Sequence, residues 1–269
     1  MKDTPTKEYV MGHEGDEVNR LRQQHLWLKH SMPQLILAPV DKSRPNLRIL
    51  DSGTADGTWL FDISTGFSEA SYVGTDIAAH LFPVAPPENM TFKIQSIKDP
   101  WPEIRQSSFD LVHQRLVLAC CDEAAAKVAV RRLVELAKPG GWIQLMECDH
   151  SGGFAPEVAA QHPALVKFGE LVISHLAGKG QCGQQGLHLK RLLADSGVVD
   201  IKEAIYDMPV GVSAENAAVG EVAAGNLIEV AKKMQGGDQF VEELIQELNT
   251  IGGTQRFHAV YGQRPLGTV

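Results

Sequence analysis

Two segments of the chain carry residue types suited to holding a nucleoside. Gly53 and Gly57 lie in a turn that follows the apolar run 47–50, and Asp76 ends the next apolar run. Glycines in a strand-to-helix turn let a ligand approach the backbone, and a carboxylate at the end of the following strand accepts hydrogen bonds from ribose hydroxyls. This arrangement predicts a cofactor that contains a nucleoside.

The same turn disfavours a cofactor that carries phosphate. The chain has no G-x-x-x-x-G-K-[ST] sequence, which excludes a P-loop. The segment from Gly53 to Gly57 has the spacing G-x-x-x-G in place of the G-x-G-x-x-G of dinucleotide sites, and Asp56 would repel a pyrophosphate. A phosphate-free cofactor with a positive charge removes both objections.

Histidines and acids near the ends of predicted strands are the candidate catalytic residues. His113 lies at the carboxyl end of a predicted central strand, where doubly wound folds bind ligands. It is a candidate general base, and a buried structural role is the competing interpretation. Glu147, Asp149 and His150 follow another predicted strand and are candidates for substrate contact, with His150 as the second candidate catalytic residue. Their spacing matches no metal-ligand signature, so we expect no metal.

The composition excludes several classes of partner. The 269 residues carry a net charge of −8, with 43% hydrophobic and 22% charged residues, which is typical of a soluble protein and disfavours nucleic acid as a partner. The four cysteines form no C-x-x-C pair, and no apolar run approaches the roughly 18 residues of a membrane span. We expect a cytoplasmic protein that binds a small molecule and neither nucleic acid nor membrane. The composition gives no indication of oligomeric state.

Alternating strands and helices must position these residues. Apolar runs predict strands at 48–51, 72–76, 91–95, 110–115 and 142–147, with helices at 58–65 and 122–138. The last third predicts helices at 157–176, 187–195, 214–235 and 238–249 and strands at 199–206 and 255–263. An amphipathic helix is predicted to begin at Glu14. The alternation predicts an α/β fold with a mainly parallel sheet and helices on both faces.

Four motifs, taken in order, resemble those of class I S-adenosylmethionine-dependent methyltransferases. The segment 50–57 resembles the first motif, 74–76 the acidic end of strand two, 109–115 strand four, and 136–142 the turn before strand five. The resemblance implies a Rossmann-like fold with a seven-stranded sheet and helical insertions in the C-terminal third. It also implies an N-terminal helical lid over residues 1–46 and a methyltransferase domain over 47–269.

A narrower resemblance covers nearly the whole chain. The segments 9–13, 20–25, 86–92 and 99–101 are similar to fungal methyltransferases of secondary metabolism, a group that includes UMTA-type enzymes and LaeA-like regulators. This similarity implies methyl transfer from S-adenosylmethionine to an oxygen, nitrogen or sulfur atom of a small molecule. Two alternatives keep the fold: a non-methylating reaction such as cyclisation, or regulation through protein partners.

The resemblance also implies roles for residues around the first motif. Gly53, Thr54 and Ala55 would lie against the methionine part of the cofactor. Asp76 would hold the ribose hydroxyls through charge-assisted hydrogen bonds, with Ile77 beside it. These five positions form the implied centre of the cofactor site.

Four more positions receive implied roles further from the first motif. Ile97 would offer its backbone amide and apolar side chain to adenine, and Gln114 would line the methionine end of the cofactor. Tyr9 and Arg20 belong to the lid, where Arg20 would pair with the cofactor carboxylate. The implied site therefore draws on both predicted parts of the chain.

Two of the departures from the family pattern affect the predicted cofactor site. Ala55 stands where members commonly have glycine, and its additional methyl group is tolerable if φ is negative at this residue. Gln95 and Ser96 stand where members usually have one or two acids. A carboxylate contact with the adenine amino group is therefore not expected here.

Overall fold

A seven-stranded sheet forms the centre of the computed structural model, which describes residues 15–67, 69–152 and 156–267. Its strands are Arg48–Ser52 (β1), Ser71–Asp76 (β2), Met90–Ile94 (β3), Phe109–Arg115 (β4), Ala137–Asp149 (β5), Val199–Val210 (β6) and Gly253–Gln263 (β7). The order across the sheet is β3-β2-β1-β4-β5-β7-β6. Strands β1 to β5 pair in parallel, and β7 runs antiparallel to both β5 and β6. The predicted seven-stranded, mainly parallel sheet is confirmed.

Helices cover both faces of this sheet. They are Gly15–Ser31 (α1), Thr58–Ser64 (α2), Glu123–Leu136 (α3), Pro156–Ala159 (α4), Pro163–Ala177 (α5), Leu189–Asp195 (α6), Ala217–Lys233 (α7) and Asp238–Thr250 (α8). Successive side chains of a strand point to opposite faces, so Leu50 and Val112 pack with α3 and α6. Ile49 and Leu111, one residue earlier, pack with α2 on the other face. The predicted Rossmann-like arrangement is thus confirmed.

Side-chain hydrogen bonds join helix α1 to three other parts of the molecule. Arg22 Nε donates to Asp56 Oδ2 at 2.6 Å, in the turn after β1. Lys233 Nζ, at the end of α7, donates to Glu17 Oε2 at 2.9 Å, and Trp27 Nε1 donates to a carbonyl of β6 at 3.0 Å. These contacts hold the described part of the predicted lid against the turn and the C-terminal helices.

Two predicted elements differ most from the structure. The single helix predicted over 157–176 is two helices, because Pro163 begins α5 and proline has no N–H to continue a preceding helix. The strand predicted over 142–147 begins earlier, since Ala137 already pairs with Phe109 and the segment 138–141 forms an irregularity within β5. In the described ranges, none of the helices combines the length and apolar character needed to cross a membrane.

Candidate active site

A cavity of about 330 Å³ lies at the carboxyl ends of the central strands. Its wall includes Asp51 of β1, Asp76 of β2 and His113 of β4. Helices α5 and α7 close the other side, with Phe168 and Asn226 among the lining residues. In doubly wound sheets this edge is where ligands bind, and the volume suits small molecules.

The turn after β1 is held in a conformation that its glycines favour. The backbone N–H groups of Gly53 and Thr54 both donate to Thr75 O, at 2.7 and 2.9 Å. Gly53, Ala55 and Gly57 have φ values of 74°, 51° and 80°. The negative φ under which Ala55 would be tolerable is therefore not found: the turn imposes a positive φ there, and the methyl group has a steric cost.

Asp76 faces the cavity from the end of β2. Its Oδ2 accepts from Ala55 N and its Oδ1 from Ala78 N, both at 2.9 Å. Burial raises the pKa of this carboxyl, and the two backbone donors oppose that rise. Ile77 and Ile97 line the same side of the cavity. The structure thus brings together the acid and the apolar residues predicted for the cofactor.

His113 is buried in a fixed orientation. Its Nδ1 lies 2.7 Å from Asp51 Oδ1, and its ring stacks on Trp59 at 3.7 Å between centroids. Burial lowers the pKa of this histidine. Because the carboxylate requires a donor, Nδ1 carries the proton of the neutral ring and Nε2 is left as the acceptor.

Arg115 was not predicted, although alternation along β4 places it on the same face as His113. Its Nη2 donates to His25 Nδ1 at 3.0 Å, and His25 Nε2 lies 2.7 Å from Asp62 Oδ2. Burial lowers the pKa of Arg115 to about 10, so the guanidinium stays charged. Arg115 therefore supplies a partly buried positive charge to the cavity wall.

Glu147 and Asp149 of β5 and the adjacent His150 have different contacts. Glu147 Oε1 accepts from the backbone N–H groups of Val117 and Leu118 at 2.8 and 2.7 Å, and burial raises its pKa to about 8. His150 lines the cavity, and burial lowers its pKa to about 4. Asp149 instead accepts from the backbone of the following turn. Among the described residues, no group of three or more His, Cys, Asp or Glu is arranged for a metal.

Gln114 does not share the cavity face of His113. Its Oε1 accepts from Ser52 Oγ at 3.1 Å, and it is absent from the cavity wall as far as the chain is described. The reason is the alternation of β4, which sends neighbouring side chains to opposite faces. The predicted contact of Gln114 with the methionine end of a cofactor therefore has no geometric support.

Of the two predicted lid residues, only Arg20 lies in the described part of the chain. Arg20 lines the cavity, but its Nε and Nη2 donate to Glu17 at 2.9 and 2.6 Å. Tyr9 lies outside the described residues. Arg20 is thus held at the cavity by a carboxylate of its own helix.

The strand order, the glycine turn after β1 and the acid at the end of β2 define a class I methyltransferase. The family model for the methyltransferase domain matches residues 43–197. The chain belongs to this family, and it is an S-adenosylmethionine-dependent methyltransferase.

Three relatives are similar over almost their whole length. The chain is 37% identical to N-methyltransferase gliN of Aspergillus fumigatus, with 96% of each chain covered. It is 39% identical to N-methyltransferase sirN of Leptosphaeria maculans, covering 98% of this chain and 97% of the relative. N-methyltransferase tcpN of Claviceps purpurea is 37% identical, covering 92% and 94%. These relatives favour methyl transfer over the regulatory and cyclising alternatives.

Solved structures share the fold at low sequence identity. Phosphoethanolamine N-methyltransferase 2 of Haemonchus contortus, in complex with S-adenosylhomocysteine, matches with a TM-score of 0.52 and 13% identity over 91% of this chain and 52% of that one. The [4+2]-cyclase SpnF matches with a TM-score of 0.52 and 14% identity, covering 86% and 79%. The likeness concerns the fold alone, which serves both methyl transfer and cyclisation.

The residues at the strand ends fit S-adenosylmethionine. Thr54 Oγ1 is buried in the cavity wall with no hydrogen-bond partner among the described residues. Asp76 offers carboxylate oxygens suited to ribose hydroxyls, and Ile97 offers an apolar surface to adenine. The acids Asp51 and Asp56 also line this side, which suits a cationic cofactor better than a phosphate.

Proposed function

We propose that this enzyme methylates a nitrogen atom of a small secondary metabolite. The observation that carries the proposal is the similarity to three N-methyltransferases over more than nine-tenths of the chain. When bound, S-adenosylmethionine supplies an electrophilic methyl group. The chain must then bind the acceptor, exclude water and remove a proton from the nitrogen.

His113 is the proposed general base. Nδ1–H of His113 donates a hydrogen bond to Asp51, which leaves Nε2 on the opposite side of the ring unprotonated. Trp59 stacks flat on the ring and prevents its rotation. Because burial lowers its pKa, the ring is neutral at neutral pH and can take the proton released by the nitrogen.

His150 is the second proposed catalytic residue. It lines the cavity from the end of β5, where its ring meets the edge of Phe168 at 6.1 Å between centroids. With a pKa of about 4, it is neutral at neutral pH and has one donor and one acceptor nitrogen. In this role, His150 orients the substrate that receives the methyl group, by a hydrogen bond.

Methyl transfer to nitrogen is tested with S-adenosylmethionine carrying a ¹³C-labelled methyl group. The enzyme is incubated with fungal metabolite extracts, and labelled products are found by mass spectrometry. The ¹³C chemical shift then separates N-methyl from O-methyl and S-methyl products. An N-methyl signal supports the proposal, whereas label on oxygen, on sulfur or only on protein overturns it.

His113→Gln tests the assigned base in the same assay. We expect a fall in kcat of about 100-fold with S-adenosylhomocysteine binding retained, since general bases contribute 10²–10⁴-fold. His30→Gln is the matched control, because His30 is an exposed histidine of α1. Equal kcat values for the two variants would remove His113 from the catalytic step.

A further inference from the structure

Within the described residues, the charged side chains that line the cavity all come from the part of the chain up to Glu147. Every Asp, Glu, Lys and Arg that lines it in the described ranges lies at or before Glu147, including Asp51, Asp76 and Arg115. From Cys148 onward, the lining residues that are described carry no carboxylate, ammonium or guanidinium group. His150 belongs to this second set, and burial lowers its pKa to about 4, so it too is neutral at neutral pH.

Asn226 is a buried polar side chain in the side of the cavity that α5 and α7 form. It is 4% exposed, on the apolar face of α7 beside Leu227. Its Nδ2 has no hydrogen-bond partner among the described residues. An unpaired buried amide costs free energy unless a partner arrives. The position of Nδ2 in the wall of a cavity indicates that a ligand oxygen is that partner.

A second unpaired polar atom lines the same side. Gln181, in the connection after α5, has its Oε1 buried without a partner in the described part of the chain. The surrounding wall is apolar, with Phe168, Val172 and Leu176 of α5. One unpaired donor and one unpaired acceptor within an apolar wall match a molecule that presents both a carbonyl oxygen and an N–H or O–H group.

We propose that this side of the cavity is the acceptor subsite, that its substrate is an uncharged, largely apolar molecule with a carbonyl oxygen, and that Asn226 is its specificity-determining residue. The inference rests on the proposed function, since it assigns a substrate class to the same site. The lining residues that α5 and α7 contribute offer a charged molecule no counter-ion in exchange for its lost hydration. A neutral molecule loses less, and the Asn226 amide replaces one of its water contacts.

Three probes with the same ring test the charge preference. The enzyme, saturated with S-adenosylhomocysteine, is titrated with 2-naphthamide, 2-naphthoate and 2-naphthylmethylamine at neutral pH, and Kd values are measured by ligand-observed NMR. We expect 2-naphthamide to bind at least about tenfold more tightly than the anion and the cation. Equal or tighter binding of a charged probe, or binding of none, overturns the inference.

Two substitutions assign the preference to Asn226. Asn226→Leu should weaken 2-naphthamide binding about tenfold, because no donor remains. Asn226→Asp keeps the shape, removes the donor and adds a negative charge, so it should reverse the preference in favour of 2-naphthylmethylamine. Asn249→Leu is the control, since Asn249 is exposed on α8. An unchanged 2-naphthamide Kd in both Asn226 variants would exclude Asn226.

The binding test is independent of the site of methylation. Thermal unfolding and S-adenosylhomocysteine affinity show whether each variant is folded with its cofactor side intact. A failure to find an N-methyl product would contradict the proposed function and leave the measured probe preference standing. A missing preference for 2-naphthamide would contradict the subsite and leave N-methylation standing.

Discussion

Asp76 is the residue whose predicted role has the clearest structural basis. Both of its carboxylate oxygens accept backbone N–H groups and the side chain still faces the cavity. We expect Asp76→Ala to weaken S-adenosylhomocysteine binding by about 1.5–3 kcal/mol, because it removes a charged acceptor for the ribose hydroxyls. Isothermal titration calorimetry measures this change.

The control for Asp76 is another aspartate of the same part of the chain. Asp99 is exposed and does not line the cavity in the described ranges, so Asp99→Ala should leave the affinity unchanged. If Asp76→Ala binds as tightly as Asp99→Ala, then Asp76 does not hold the cofactor.

Ala55 has a backbone conformation that glycine would adopt at a lower conformational free energy. Its φ of 51° lies in the left-handed region, where an L-residue costs roughly 1–2 kcal/mol. We expect Ala55→Gly to raise the free energy of unfolding by about 1 kcal/mol, after allowing for the greater freedom of glycine in the unfolded chain. Urea unfolding measures it.

A neighbouring alanine provides the matched control for Ala55→Gly. Ala78 donates its N–H to the other oxygen of the same carboxylate, but its φ is −96°. Ala78→Gly should therefore lower the free energy of unfolding by about 0.5–1 kcal/mol. The same sign of effect at both positions would contradict the assignment of strain to Ala55.

Some site residues were predictable from the sequence because local spacing defines them. Gly53 and Asp76 follow apolar runs, and the ends of parallel strands meet at one edge. Arg115 was missed although strand alternation with His113 indicates its face. Asn226 lies among the apolar residues of α7 at helical spacing, but only the structure shows that its Nδ2 is unpaired.

At the scale of elements, α1 depends on a buried carboxylate for its position. Glu17 is 2% exposed and accepts from Arg20 of its own helix and from Lys233 of α7. We expect Glu17→Gln to lower the free energy of unfolding by about 1–3 kcal/mol, since a charged acceptor of two cations is lost. Amide exchange in α1 should become faster while exchange in β1 and β4 stays slow.

An exposed pair on α7 serves as the comparison for Glu17. Glu229 accepts from Lys232 at 2.9 Å with both side chains about half exposed, so Glu229→Gln should change stability by less than about 0.5 kcal/mol. Hydrogen exchange with mass spectrometry reports both variants. If α1 exchanges equally fast in the two, Glu17 does not hold the helix in place.

The elements were predictable to the extent that hydrophobic patterns are local. The strands predicted over 48–51 and 72–76 differ from β1 and β2 by one residue at one end. The division between α4 and α5 was missed because the apolar pattern continues through it, although Pro163 marks the start of α5. The early start of β5 depends on pairing with Phe109, which no local pattern contains.

At the scale of the whole molecule, buried histidines make stability depend on pH. Burial lowers the pKa of His25, His113 and His150, the last to about 4. In the unfolded chain, histidine has a pKa of about 6.5. The unfolded state therefore binds protons first as the pH falls, so this stabilisation is full above about pH 6.5 and is lost as the pH falls toward 4.

Urea unfolding across this pH range checks the effect. We expect His150→Gln to lose less stability than the wild type between about pH 7 and 4.5, because one buried group no longer needs to be deprotonated. His30→Gln, at an exposed position, should follow the wild type. Parallel curves for all three proteins would contradict the lowered pKa of His150.

The division of the cavity wall at Glu147 has an evolutionary consequence. Under the proposed assignment, cofactor binding draws mainly on lining residues up to Glu147, and the choice of acceptor draws on those of α5 and α7. Mutations in the part of the gene that follows the codon for Glu147 can then change which metabolite is accepted while the ability to use S-adenosylmethionine is inherited intact. Duplicated copies of such a gene would diverge first in α5 and α7, and new products would arise without loss of the shared chemistry.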